Sequence, residues 1–435
     1  MQAVVRGGGD APDSGVALRQ RENDMSTPTY DVIAFGASSF VGKILCRYLW
    51  QEFGSGGGIK WAIAGRSQAK LEALRNSLGV EAAGVPLVLA DAGDAASLRV
   101  LCASTRVVVS TVGPYALYGE PLVKACVETG TDYCDLTGEV QWIRRMVERY
   151  EAQSRQSGAR IVHSCGFDSI PSDLGAHFLQ RHAIQQFGVP CQRIKMRVKA
   201  MRGGFSGGTV ASIMNVVKEA TADPALRKEL ADPYSLCPPA NAARVRQPEV
   251  QSAQFDSDFN AWVAPFVMSG INTRIVHRSN ALAKSYGPDF TYDEAVLTGA
   301  GFKGRLAAVA AATGTASFML ASAVAPVRAV LERLVLPKPG EGPSADAQRT
   351  GFFDLRFFGN TADGRSIRAK VKGDRDPGYG STGKMLGQAA ACLAMDIDKA
   401  AVPGGFWTPA TILGDRLIQR LIARAGVSFE LDLGG

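Results

Sequence analysis

The sequence predicts an α/β fold: a doubly wound parallel sheet followed by a second domain of α+β type. Three observations carry this. Strand and helix patterns alternate about six times between residues 30 and 163, as such a sheet requires. The first strand, residues 30–35, is apolar, partly β-branched and stopped by Gly36, where a helix begins. The second, residues 60–64, closes in Gly65-Arg66-Ser67 with no carboxylate beside it.

Each element follows from its residues. In Gly36-Ala37-Ser38-Ser39-Phe40-Val41-Gly42, Gly36 lets the chain reverse without a Cβ clash. Small Ala37 and Ser38 let backbone N–H groups approach a ligand, and Gly42 lets the helix pack closely on the strand. Free N–H groups at the positive end of a helix form a seat for a pyrophosphate. Ser38 stands where G-x-G-x-x-G has its second glycine, so the turn alone is weak evidence. Arg66, backed by Ser67, decides the cofactor: an arginine at that strand end suits a 2′-phosphate, so the reading is NADP rather than NAD. The third strand, residues 86–90, runs into Asp91, a position near the adenine in such folds, and Asp94 caps the next helix. The β-branched run at 107–112 is what a central parallel strand needs, and its exit through Thr111, Val112 and Gly113 lies at the ligand edge of the sheet. Strands at 132–135 and 160–163, with helices at 121–129 and 139–156, complete a Rossmann-type domain over residues 29–175.

Residues 176–372 form the α+β domain. The segment 193–199 alternates strictly and predicts an antiparallel strand with one solvated basic face. Residues 352–359 and 366–372 predict a hairpin through Asp363-Gly364. The segment 373–435, with its Ala-rich helix to Met395, returns to the first domain and brings Tyr379 toward the cleft. Residues 306–327 carry no charge. A buried helical hairpin is the simplest reading; a helix lying on a membrane and one crossing it are the other two. Residues 1–28 lack periodicity and an apolar signal core, and are expected to be a disordered extension.

The chain resembles the saccharopine dehydrogenase-like oxidoreductases, in their trans-acting enoyl reductase branch. The residues that carry this are Ser110-Thr111-Val112-Gly113-Pro114-Tyr115, Thr131-Asp132-Tyr133-Cys134-Asp135-Leu136-Thr137-Gly138-Glu139, Cys165-Gly166-Phe167-Asp168-Ser169-Ile170-Pro171-Ser172-Asp173, and Gly373-Asp374-Arg375-Asp376-Pro377-Gly378-Tyr379-Gly380. The resemblance implies a Rossmann domain joined to an α+β domain, an NAD(P) cofactor, and reduction of enoyl intermediates in lipid, polyketide and glycolipid biosynthesis.

Hydride chemistry resides mainly in the cofactor, so catalytic residues must come from strand ends. No tyrosine has a lysine four residues on, which removes the short-chain dehydrogenase pair. Tyr115 and Asp168 are the candidates for proton donor or substrate anchor; His163 reads as a satisfied sheet histidine. Net charge is +7 over 435 residues, with the basic side chains scattered, which argues against nucleic acid. The eight cysteines include no C-x-x-C, so reduced thiols, a cytoplasmic setting and no metal site are expected. An apolar acyl or polyketide-type substrate fits this reading; peripheral contact with the inner face of the plasma membrane and a homodimer stay open. A saccharopine-type reductase of an amino-acid imine, needing arginines such as Arg274 and Arg278, is the first rival. A nucleotide-binding membrane protein without turnover is the second.

Overall fold

The computed structural model describes residues 28–55, 57–204, 207–239, 244–324, 326–328 and 342–432, with backbone alone at 207–210. The extension expected over 1–28 thus lies, except for its last residue, outside the described residues.

The first sheet holds β1 (Tyr30–Phe35), β2 (Trp61–Gly65), β3 (Leu87–Leu89), β4 (Thr105–Ser110), β5 (Asp132–Asp135) and β6 (Arg160–Val162), all parallel. A late strand, β13 (Gly405–Trp407), adds to the edge at β6, giving the order β13-β6-β5-β4-β1-β2-β3. Reversal of strand order between β1 and β4 opens a crevice at their carboxyl ends, where such sheets take ligands. Val107, Val108 and Val109 of β4 are buried because helices cover both faces. Asp94 caps the helix Ala95–Ala103 by accepting from Ala96 N–H.

The second sheet is mixed, in the order β14-β12-β11-β7-β10-β9-β8. It comprises β7 (Cys191–Arg202), β8 (Gln254–Asp256), β9 (Ala261–Pro265), β10 (Thr291–Gly299), β11 (Phe352–Thr361), β12 (Ser366–Gly373) and β14 (Val427–Leu431). The β11–β12 hairpin turns at Gly364, whose φ of 88° explains the glycine. The reading of residues 193–199 needs correction. β7 is the centre of the sheet, antiparallel to β11 but parallel to β10. Its basic row is not solvated throughout: Arg197 is buried, with Nε 2.7 Å from Asp256 and one terminal nitrogen 2.7 Å from Asp293. Lys195 bridges Asp256 and Asp258 at 3.0 and 2.6 Å. Three carboxylates from other segments pull these cations inside, a pairing that alternation along one strand does not reveal.

Two helices lock the sheets together. Ile170–Phe187 lies between them, with Gly175 so close to Phe357 that a Cβ would meet its ring at 2.2 Å. Thr382–Met395 is buried along nearly all its length against the first sheet and the helix Phe40–Phe53. There Gly387 abuts the Tyr48 ring, and Gln388 donates to the Tyr48 hydroxyl at 2.7 Å. The C-terminal segment serves both sheets, since β13 joins the first and β14 the second.

The apolar segment forms the helix Gly301–Ala323, which among the described residues is largely exposed where a buried arm was expected. Only Gly304, Ala308 and Ser322 are buried; Phe302, Leu306 and Leu320 are more than half exposed. Nor can this helix simply cross a bilayer. β7 and β10 precede it, β11 and β12 follow it, and all four share one sheet, so the chain returns to the side it left.

Removing Arg197 would leave Asp293 as an uncompensated buried charge and Asp256 with Lys195 alone. Arg197→Ala is expected to cost about 3–5 kcal/mol, read as a lower urea midpoint at unchanged slope.

Candidate active site

The corner after β1 is built by backbone proximity. Gly36 has φ 79°, and a Cβ there would meet Val112 Cγ2 at 2.5 Å. A Cβ on Gly42 would meet the Gly36 carbonyl oxygen at 2.4 Å. Neither position admits a side chain. Ser39 caps the helix by accepting from Gly42 N–H at 2.9 Å. Its hydroxyl lies 3.1 Å from that of Thr111, which donates to the Gly36 carbonyl at 3.0 Å. Gly36 and Ala37 give their N–H groups to Ala64. Ser38, Phe40 and Val41 keep N–H groups without a protein acceptor among the described residues, and all three are half-buried. The turn is therefore a rigid cradle with donors facing outward, which fits a pyrophosphate.

Arg66 stands exposed at the end of β2, with Ser67 half-buried behind it. No carboxylate pairs with it among the described residues, so the guanidinium is available to an anion. Asp91 folds its carboxylate onto Gly93 N–H at 2.9 Å beyond β3. Val112 and Gly113 leave β4 beside Gly36, with Gly113 exposed at the mouth of the crevice. Tyr379 is buried edge-on to Phe40, ring centroids 5.2 Å apart, so the returning segment backs the cofactor turn instead of opening into the cleft.

The two catalytic candidates are placed very differently. Tyr115 is buried against Trp142, its hydroxyl donating to the Ser110 carbonyl at 3.0 Å, and burial raises its pKa well above the usual tyrosine range. It is positioned to hold the turn. Asp168 is half-buried beyond β6, close over Gly138, where a Cβ would lie 3.4 Å from Oδ1. Desolvation, aided by the charge of Asp135, pushes its pKa up to about 7. A carboxyl of that kind holds a proton at neutral pH and can release it. His163 pairs through Nδ1 with Asp135 at 2.7 Å, inside the sheet. Asp135 also accepts from Tyr133 hydroxyl, Thr137 N–H and Ser164 N–H, which fixes the loops after β5 and β6.

Reasoning along the chain missed Glu139. It reads there as the start of a helix, yet its buried carboxylate accepts from Tyr115 N–H (2.8 Å), Ala116 N–H (2.9 Å) and Ser212 hydroxyl (2.8 Å). It thereby ties the β4 exit to the helix Gly207–Ala222 of the second domain. A buried chain continues from the loop of Asp168: Ser169 donates to Asn272 at 3.2 Å, and Asn272 to Glu294 at 2.9 Å. Three distant segments meet in it, and no local spacing signals that.

Comparisons with known proteins agree with this geometry. Residues 32–162 match the model of the saccharopine dehydrogenase NADP binding domain, so the cofactor is NADP. A Mycobacterium tuberculosis chain provisionally named a trans-acting enoyl reductase is 40% identical over 411 residues, covering 92% of this chain and 97% of its own. The trans-acting enoyl reductase of Mycobacterium bovis is 37% identical over 405 residues, covering 90% and 95%. Apo saccharopine dehydrogenase (L-Glu forming) from Saccharomyces cerevisiae has the same fold, with a TM-score of 0.52 at 14% identity over 93% of this chain and 99% of that one. Rossmann corner, paired sheets and identity along nearly the whole length converge on one conclusion: this chain belongs to the trans-acting enoyl reductase family of saccharopine dehydrogenase-like, NAD(P)-dependent oxidoreductases.

Proposed function

We propose that the chain reduces the carbon–carbon double bond of an apolar enoyl thioester in lipid or polyketide metabolism, with NADPH as reductant. The observation that carries this is Asp168, a half-buried carboxyl at the ligand edge of the sheet whose pKa lies at about 7. The names of the relatives supply the reaction class. The corner from Gly36 to Gly42 would hold the pyrophosphate, Arg66 with Ser67 the 2′-phosphate, and Thr111, Val112 and Gly113 the rim of the crevice. NADPH, when bound, supplies the hydride. Asp168 holds the proton that the carbon next to the thioester carbonyl must gain, and its half-buried setting keeps that proton from bulk water. Tyr115 and Glu139 position the loop opposite. The imine-reductase reading has only half of its clamp, because Arg278 is committed to the carbonyls of Leu236 and Phe406 at 2.5 and 2.6 Å.

The helix Gly301–Ala323 suits a bilayer surface as the source of an apolar substrate. From residue 306 on it carries no charge on any face, which one protein face would not cover, and Lys303 and Arg305 in its first turns and Arg328 beyond its end bound this stretch without an acid between them. Because β10 before the helix and β11 after it share one sheet, the contact proposed is a shallow insertion rather than a single span.

Four outcomes are expected. Arg66→Glu should weaken NADPH binding by about tenfold or more and leave NADH binding unchanged, measured by fluorescence titration. Equal loss for both nucleotides would remove Arg66 from the site. With an enoyl thioester, kcat should be greatest below pH 7, where Asp168 is protonated, and fall by about tenfold per unit above it. Asp168→Asn should cut kcat by roughly 10²–10⁴-fold at unchanged NADPH affinity; undiminished turnover would sink the assignment. The full chain should float with vesicles containing anionic lipid, and Leu306→Glu with Leu320→Glu should abolish this; flotation that survives the double change refutes the contact.

A further inference from the structure

A cavity of about 970 Å³ lies between the helix Ser269–Ala283, strand β10 and the segment around Tyr234 and Gln247. None of the residues of the nucleotide corner, nor Asp168, lines it, so it is separate from that corner. Its volume is that of a small-ligand site. Three cations line its polar wall, Arg244, Arg246 and Arg274, and one of them is buried.

That cation is Arg274. It is only 7% exposed, yet no carboxylate pairs with it among the described residues. One terminal nitrogen donates to the Thr273 hydroxyl at 2.9 Å and the other to the Leu230 carbonyl at 2.8 Å. Nε has no partner. Beside it His277, 2% exposed, leaves Nε2 unpaired, while its ring packs on Tyr234 with centroids 5.1 Å apart. Burial and the charges of Arg274 and Arg244 hold this imidazole down at about 3, so it is neutral near pH 7. Arg244 stands exposed at the mouth, over the Tyr234 ring.

The acids of the wall are otherwise engaged. Asp293 pairs with Arg197 at 2.7 Å, and Glu294 is bonded to Asn272 and to the Tyr292 hydroxyl. Asp232 and Glu249 are exposed, and accept from Tyr234 N–H and the Gln251 amide. A buried guanidinium without a counter-ion, next to an unpaired ring nitrogen, carries a desolvation cost that a bound anion would offset.

We infer that this cavity is a binding site for the anionic group of a polar ligand, a phosphate ester or a carboxylate, seated on Arg274 and His277. A phosphate could belong to the pantetheine arm on which acyl thioesters are carried, or be free; a carboxylate would come from an amino acid. The site exists whichever source supplies it.

The test is calorimetric titration of the NADPH-saturated full chain with four probes: inorganic phosphate, 4′-phosphopantetheine, pantetheine and glutamate. At least one anionic probe is expected to bind one-to-one and pantetheine to bind far more weakly. Arg274→Gln should weaken that binding by about 10–100-fold, the range for losing a charge-assisted hydrogen bond. His277→Phe keeps the aromatic packing and should weaken it several-fold, so the inference does not rest on one buried arginine. Thermal melting and NADPH affinity report on folding independently of turnover. Tighter binding of phosphopantetheine than of phosphate identifies the thioester arm; preference for glutamate identifies an amino acid. Absence of saturable binding by all three anions, or wild-type affinity in His277→Phe and in a folded Arg274→Gln, overturns the site.

Discussion

No side chain can stand between the end of β1 and the helix that follows it. Gly36 must turn against Val112, and Gly42 must touch the Gly36 carbonyl, or the helix cannot come down on the strand. This single approach determines what lies around it. It leaves three N–H groups without protein partners among the described residues, places Ser39 to close the helix end, and brings Thr111 near enough to fasten β4 to β1. Exclusion of side chains also makes room for a charged ligand, so the packing constraint and the binding capacity are one feature.

The second sheet acts on this corner from a distance. Gly387 and Gln388 press the returning helix onto Tyr48, which sits on the outer turn of the helix that Gly42 begins. Phe167 N–H donates to Thr382, so the loop carrying Asp168 is anchored to the same helix. Buried polar nodes do the rest. Asp173, whose pKa burial pushes up to about 7, accepts from Ser279 and Ala410 and joins three segments. Arg160 and Asp132 form an ion pair deep in the first sheet, where Arg160 also reaches the carbonyls of Leu393 and Ile397. Such groups are costly to bury alone and tolerable only when every partner is in place, which gives the two-sheet assembly its definite geometry.

Much of this was legible in the residues. Gly36, Gly42 and the β-branched run of β4 obey local rules: backbone clearance at a turn and burial on both faces of a central strand. The place of Arg66 at the exposed end of β2 was legible because a strand end and a missing carboxylate are sequence facts. What the chain concealed depends on encounters between remote segments. Arg197 looks solvated until Asp256 and Asp293 arrive; Glu139 looks like a helix start until Tyr115, Ala116 and Ser212 converge on it. The character of Asp168 comes from desolvation, and that is a property of the surroundings, not of the residue. The helix Gly301–Ala323 misled in the other direction. Its composition suits an interior, yet the architecture leaves most of it uncovered.

The late return of the chain has a consequence for synthesis. The helix Thr382–Met395 covers an apolar face of the first sheet, and β14 forms one edge of the second. A chain emerging from the ribosome has made most of both sheets before either cover exists. Through that interval it displays oily surface and an unclosed strand border, the conditions under which nascent proteins stick to one another. Holding chaperones would therefore be engaged until the final stretch is released, and premature termination anywhere after β12 would yield a product fated for proteolysis.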